Sequence, residues 1–256
     1  MTIKLFFSDV DSTLIHKIHD GYRIPSENKY ISKESVELMK KIMKFIPVTL
    51  ITGRRITGYE RLEKVIPHQF AIIEHGCIIL RKNKIDKRYA REFKKYIGKP
   101  WKKKKKGLLW DYEQQWINHG YIVDSKDRYG SFRIDPNTNK LNHSQIKNIL
   151  NTKHPHGIKN VINGDFIDFI PPMGGKGHAI NYILHKTHSR WADVAGFGDD
   201  YNDLEMLHSA GHPFTLKNAV SKIKTLVYSR KGYISPEETH KGTEDVLGRV
   251  LFEVSK

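Results

Sequence analysis

The sequence predicts an α/β protein: a three-layer core around a parallel sheet, with a smaller α+β domain inserted as a cap. Three observations predict it. Short continuous apolar runs, the pattern of strands buried on both faces, stand at residues 3–8, 48–51 and 192–197. Helical periodicity follows the first two of them, and strand alternating with helix implies crossovers in a parallel sheet. Between about residues 81 and 172 that alternation gives way to mixed strands and helices. The core is therefore expected to comprise 1–80 and 172–256, and the cap 81–171.

Each element has a local reason. Ser32 is a good helix N-cap, and Val36, Met39, Ile42 and Met43 recur at helical spacing until Pro47 ends the run. Strand 48–51 ends at Thr52-Gly53-Arg54, and 56–65 reads as a helix stopped by Pro67. Runs 70–74 and 77–80 read as strands joined tightly through His75-Gly76. In the cap, 108–120 reads as a helix carrying Trp110 and Trp116, 130–135 as a half-exposed strand, and 142–150 as a short helix. Runs 158–162 and 166–170 flank Asn163-Gly164-Asp165, a strong hairpin turn. A helix is expected over 176–185 after Gly174-Gly175, and others through Leu207, over 220–224 and over 239–252. His154 and His156 flank Pro155 and read as a surface loop.

The 256 residues are 38% hydrophobic and 28% charged, with a net charge of +16. Such an excess fits an anionic partner, whether phosphorylated substrate, nucleic acid or membrane surface; it fits a lysine-rich solvated surface equally. The five-lysine run Lys102–Lys106 reads as a solvated face or loop, with anion steering as the alternative. Cys77 is the sole cysteine, which excludes an internal disulfide framework and a paired-cysteine metal site. No secretory leader pattern opens the chain and no run of about 18 apolar residues occurs, so a cytoplasmic protein without a membrane span is expected.

The chemistry is concentrated where apolar runs end. Asp9, Asp11 and Thr13 follow the first, Thr52 the second, and Asp199, Asp200, Asn202 and Asp203 the third. Ligands of open parallel sheets bind outside the carboxyl ends of the strands, so these loops should meet in one crevice. Carboxylates gathered there repel unless a cation sits among them, and Mg²⁺ takes one or two carboxylates plus substrate phosphate. Lys176, between Gly175 and Gly177 at a helix start, adds a fixed positive charge and free N–H groups that favour an anion. Carboxylates, a hard cation, a lysine and a hydroxyl together read as phosphoryl transfer.

The chain resembles the phosphatase branch of the haloacid dehalogenase superfamily. Its four motifs appear in order as Asp9-Val10-Asp11-Ser12-Thr13-Leu14, Thr52 with Gly53 and Arg54, Lys176 in a GGKG turn, and Gly198-Asp199-Asp200-Tyr201-Asn202-Asp203. An insert of some ninety residues between the second and third resembles the α/β-capped subgroup, which includes sugar-phosphate phosphatases and phosphomannomutases. The resemblance implies a Rossmann-like core, Mg²⁺ as cofactor and a small phosphorylated substrate. It implies Asp9 as nucleophile and metal ligand, and Asp11 as acid and base with its carbonyl on the metal. It further implies Asp199 and Asp203 at the metal, and Thr52, Gly53, Lys176 and Asn202 at the phosphoryl group. Two positions depart from the pattern: Asp200, where a small or neutral residue is usual, and His75, where capped relatives often carry Asn.

In the cap, Arg133 is a candidate for a second anionic group on the substrate, and Asp165 and Asp168 for sugar hydroxyls, with Asp165 also suited to the turn. The expected function is hydrolysis of a phosphosugar or sugar-acid phosphate through an aspartyl-phosphate. A phosphohexomutase is the alternative within enzymes. A nucleic-acid-directed protein, either an end-phosphatase or a binding protein, is the alternative outside small-molecule chemistry.

Overall fold

The computed structural model describes residues 2–17, 21–99 and 105–256. Strand β1 (Leu5–Asp9) runs into a loop and a two-stranded flap, β2 (Tyr22–Arg23) and β3 (Tyr30–Ile31). Helix α1 (Lys33–Ile42) follows, capped by Ser32, whose hydroxyl accepts the Ser35 N–H at 3.1 Å. Then come β4 (Val48–Ile51), α2 (Ile56–Glu63), β5 (Phe70–Ile73), β6 (Ile78–Arg81) and β7 (Lys84–Ile85). Helices α3 (Lys87–Glu92), α4 (Lys94–Ile97) and α5 (Leu108–Asn118) lead to β8 (Val123–Asp124) and β9 (Phe132–Ile134). Helix α6 (His143–Asn151) precedes the hairpin β10 (Lys159–Asn163) and β11 (Phe166–Ile170). The chain closes with α7 (Lys176–Lys186), β12 (Val194–Phe197), α8 (Leu204–Ser209), β13 (His212–Thr215), α9 (Ser221–Ser229), β14 (Tyr233–Ile234) and α10 (Thr239–Val254).

Eight strands form the main sheet in the order β14-β13-β12-β1-β4-β5-β6-β7. Pairing is parallel from β14 through β5 and antiparallel at β6 and β7. Every residue of β1, β4 and β12 is buried, as continuous apolar runs require of strands covered on both faces. The register decides where the chemistry goes. Ser8 pairs with Phe197 and Asp9 with Ile51, so β1, β4 and β12 end side by side.

A second sheet, β10-β11-β9-β8, is wholly antiparallel. Phe132 and Phe169 stack on it with ring centroids 4.7 Å apart, and Tyr112 and Trp116 of α5 pack edgewise or tilted against Phe169. His154 belongs to this cluster: it is 5% exposed, not in a surface loop. Both its nitrogens are satisfied at 2.8 Å, by the Tyr112 hydroxyl and by Asn160, which is why a polar ring can be buried there.

Strands β2, β3, β7, β8, β13 and β14 lie outside the elements read from the sequence. All but β13 are two residues long, and β13 carries Pro213. Of the lysine run, Lys102 to Lys104 lie outside the described residues. Lys106 is exposed, whereas Lys105 is half-buried: its ammonium donates to the Ser125 carbonyl at 2.6 Å and sits 4.2 Å from the Trp110 ring centroid.

His16 bonds the Thr243 hydroxyl at 2.8 Å, and that hydroxyl donates to the Thr13 carbonyl at 2.5 Å, which ties α10 to the loop after β1. Burial lowers the His16 pKa from 6.5 to about 4. The unfolded chain then takes up the proton first as pH falls, so this contribution is complete above 6.5 and is lost on the way down to 4. The loss is of order 3 kcal/mol. In urea unfolding at about pH 7 and about pH 4, His16→Gln should lose less stability on acidification than the native chain, by a difference of that order.

Candidate active site

The loops after β1, β4 and β12 meet the start of α7, as the register requires. Lys176, the first residue of α7, is buried there, and its ammonium donates to Asp9 Oδ1 at 2.6 Å, Asp203 Oδ1 at 2.5 Å and Asn202 Oδ1 at 3.2 Å. Asp203 Oδ2 accepts the N–H groups of Asp199 and Asp200 at 3.0 and 3.2 Å, which folds the loop after β12 around its carboxylate. Thr13 donates its hydroxyl to Asp199 Oδ1 at 2.5 Å, joining the first loop to the last. Gly198 must lack a side chain, because a Cβ would come within 2.4 Å of the Asp203 carboxyl carbon.

One carboxylate oxygen from each of Asp9, Asp199 and Asp203 lies within 4.8 Å of the others. This is the donor set of a hard divalent cation. The electrostatics agree. Burial raises the Asp9 pKa well above normal, opposed by Lys176 and reinforced by Asp203 and Asp199. Burial and then Asp203 raise Asp199 to about 7. Burial works against the charge of Lys176, but Asp203 and Asp9 outweigh it and hold the ammonium protonated. With one lysine among three close carboxylates, a further cation would relieve the remaining repulsion.

Asp11 is placed differently. Arg54 grips it at both oxygens, Nε to Oδ2 and Nη2 to Oδ1, each at 2.7 Å, and Lys29 donates to Oδ1 at 2.5 Å. Arg54 is itself braced by Glu27 at 2.6 and 2.8 Å. Burial would raise the Asp11 pKa, but Arg54 and Lys29 outweigh it and bring it to about 2. Its carboxylate stands apart from the Asp9, Asp199 and Asp203 group.

The second sheet is clamped over the crevice through the turn between β5 and β6. Glu74 and His75 both take left-handed backbone there, with φ of 50° and 54°. Buried Glu74 accepts the Tyr129 and Gly130 N–H groups and the Ser131 hydroxyl at 2.7 to 3.0 Å. His75 Nε2 donates to Asp168 Oδ2 at 2.7 Å. Arg133 binds both oxygens of the same carboxylate at 2.7 Å. Burial opposes ionisation of Asp168, but Arg133 and His75 hold its pKa well below the usual range. Asp168 is thus fully buried and spent on protein partners, not presented to sugar hydroxyls.

Between the two sheets lies a cavity of about 420 Å³. Asp9, Asp11, Thr52, Gly53, Asp199, Asp200 and Asn202 line its floor, with Lys29, Arg54 and Arg55 beside them. Arg133, Arg128, Asp124, Asn163 and Phe166 line it from the second sheet and its loops. The cavity lining thus gathers Asp9, Asp11, Thr52, Gly53, Asp199, Asn202 and Arg133 of the sequence candidates. Lys176 and Asp203 bond to each other, and Lys176 to Asp9, beside it, while Thr13, Asp165 and Asp168 lie outside the lining. Thr52 is held by its N–H to Ile72 and accepts the Arg54 N–H at 3.1 Å. Gly53 is obligatory, since a Cβ would fall 2.3 Å from the His75 ring. Asp200 caps the short turn after it, accepting the Tyr201 N–H at 2.7 Å. The sequence reading misses Glu27, Lys29, Arg55, Asp124 and Arg128. The first two sit in a flap too short for a periodicity signal, and nothing local marks the others.

A parallel sheet with carboxylates at its C-terminal edge, one lysine among them and a second sheet above defines a capped α/β hydrolase class. The sequence profile of the haloacid dehalogenase-like hydrolases matches residues 6–230, and the chain belongs to that family. It is 27% identical over 151 residues to kanosamine-6-phosphate phosphatase of Bacillus subtilis, covering 52% of each chain. The chain thus spans about half the length of that relative. A crystal structure of Thermoplasma acidophilum 0175 superposes with a TM-score of 0.71 at 16% identity, over 98% of this chain and 99% of that one. Synechocystis sucrose-phosphatase, solved with sucrose and phosphate, gives a TM-score of 0.64 at 15% identity over 98% of both chains. Among the described residues no helix is long and apolar enough to cross a membrane.

The raised Asp199 pKa has a measurable consequence. A cation at this group must displace the Asp199 proton below about pH 7. The affinity of this group for a divalent cation, measured by calorimetry with Mg²⁺ as the probe, should fall by at least about tenfold per pH unit below that point, because Asp9 is raised too. Affinity independent of pH from about 8 to about 5.5 would contradict this placement of the ion.

Proposed function

We propose that the protein is a Mg²⁺-dependent phosphatase of a small phosphate monoester, a phosphosugar or sugar-acid phosphate. The observation that carries the reading is Asp9. It lines the cavity, its Oδ1 is fixed by Lys176 at 2.6 Å, and it shares a cation-competent group with Asp199 and Asp203. A cavity of about 420 Å³ suits a small molecule, and the kanosamine-6-phosphate and sucrose-phosphate relatives support a phosphorylated sugar.

Asp9, Asp199, Asp203 and the Asp11 carbonyl would hold Mg²⁺, which when bound neutralises charge on the phosphoryl oxygens. The Asp9 carboxylate attacks phosphorus, forming an O–P bond as the bond to the leaving oxygen breaks. Asp11 gives its proton to that leaving oxygen. Water then attacks the aspartyl-phosphate, Asp11 takes the water's proton, and phosphate departs with Asp9 restored. The Thr52 hydroxyl, the Gly53 backbone and Asn202 hold the phosphoryl oxygens, and Lys176, bonded to Asp9, Asp203 and Asn202, keeps Asp9 oriented and adds positive charge beside them. With its pKa near 2, Asp11 is ionised as drawn and ready for the second half. The first half requires Asp11 to take up a proton from solvent, and an incoming phosphate dianion that draws Arg54 and Lys29 away from its carboxylate raises its pKa and permits that.

Phosphate release from a panel of monoesters, with Mg²⁺ or EDTA, tests the reading. Asp9→Asn should lower the rate by several orders of magnitude while the fold persists. Release by Asp9→Asn equal to that of the native chain would refute the assignment.

A further inference from the structure

The cavity wall opposite Asp9 carries guanidinium donors whose hydrogen bonds the protein leaves unmade. Arg133 is committed on one edge only: Nε and Nη2 go to Asp168, the guanidinium stacks 4.2 Å from the Phe166 ring centroid, and Nη1 has no hydrogen bond among the described residues. Arg128 is less satisfied still. It is 4% exposed, yet its guanidinium makes a single long contact, Nη2 to Asp124 Oδ2 at 3.5 Å. Nε and Nη1 have no partner, and the Asp168 oxygen facing Nη1 is 4.0 Å away. Leaving charged donors unpaired in a buried position is costly, and such a residue gains most from an anion brought to it.

The neighbouring carboxylates do not supply that anion. Asp168 is taken by Arg133 and His75, and Glu74 by the N–H groups of Tyr129 and Gly130 and the Ser131 hydroxyl. Asp124 is shared with Arg55, at 3.4 Å, and with the Lys126 N–H. The Glu74 clamp on residues 129–131 meanwhile fixes the backbone next to Arg128, so the guanidinium is placed near carboxylates at 3.5 and 4.0 Å without short hydrogen bonds to them.

We propose that the leaving group of the substrate carries an anionic substituent of its own, a carboxylate or a second phosphate, which Arg128 and Arg133 receive on the cap wall. This rests on the phosphatase reading. A phosphoryl group at Asp9 and a second anion at Arg128 occupy opposite walls of one cavity of about 420 Å³, within reach of a small molecule. A carboxylate or phosphate accepts two parallel N–H bonds from a guanidinium, which a neutral hydroxyl cannot do. Arg128 thereby acts as a specificity residue, since an ester lacking the second anion leaves it unpaired.

Matched esters test this on the full-length protein with Mg²⁺. 2-Phosphoglycerate against glycerol 2-phosphate isolates a carboxylate, and fructose 1,6-bisphosphate against fructose 6-phosphate isolates a second phosphate. The native chain should prefer one anionic ester over its match by roughly tenfold or more in kcat/KM, chiefly through KM. Arg128→Met should erase that ratio and Arg128→Lys should retain part of it. The native ratio stands as a test by itself if the Met variant does not fold. Turnover of both members of each pair at equal kcat/KM, or an anionic-to-neutral ratio unchanged in Arg128→Met, overturns the proposal while leaving the phosphatase reading standing. No phosphate release from any ester overturns both.

Discussion

Lys176 holds its ammonium 2.6 Å from Asp9 and 2.5 Å from Asp203, out of contact with bulk water. Everything else at the crevice depends on that arrangement. Three carboxylates within 4.8 Å of one another would otherwise drive their loops apart or take up protons. The lysine comes from a helix start, one carboxylate from the strand beside it, and the others from a loop that Asp203 folds around itself. None of these segments could hold its own charge in place alone. The site is thus also part of what holds the core together, because removing one member strands the charge of another in a buried position.

The second sheet is attached by the same logic, with signs reversed. Glu74 is an anion offered by the core to the N–H groups of Tyr129 and Gly130, and Asp168 an anion of the second sheet that receives His75 from the core. Both contacts come from consecutive residues of one turn in left-handed backbone, a conformation that costs energy for residues with a Cβ. Gly76 continues that turn, where a Cβ would strike the Gly175 carbonyl at 2.1 Å, and the Gly175 N–H bonds the His75 carbonyl at 2.8 Å. The turn that orients the cap is therefore fastened to the turn that presents Lys176.

Much of this was legible in the sequence because its signals are local. Apolar runs ending in Asp9, Thr52 and Asp199 mark strands and the loops beyond them, and parallel strands put such loops at one edge. The Gly164 turn marked its hairpin, and Ser32 its helix. What could not be read depends on distant partners. Nothing near Asp11 signals that Arg54, 43 residues on, will grip it, or that Glu27 will brace Arg54. His154 looks like loop because it adjoins Pro155, and only Tyr112, 42 residues earlier, makes its burial tolerable. Asp168 reads as a candidate for sugar hydroxyls until Arg133 and His75 are seen to consume it. Two-residue strands such as β2 and β14 are too short for any period to register.

The pairing of β1 with β12 has a consequence for how the chain is made. β1 leaves the ribosome well before one of its two neighbours in the sheet, which begins at Val194. Its carboxylate meets Lys176 only after 167 further positions have been synthesised. During that interval β1 can pair with β4 alone, leaving one apolar edge open and Asp9 without its counter-charge. The intervening segment can meanwhile gather its own aromatic cluster around Phe132 and Phe169, from contacts closer in sequence. In synthesis the cap thus precedes completion of the crevice it covers.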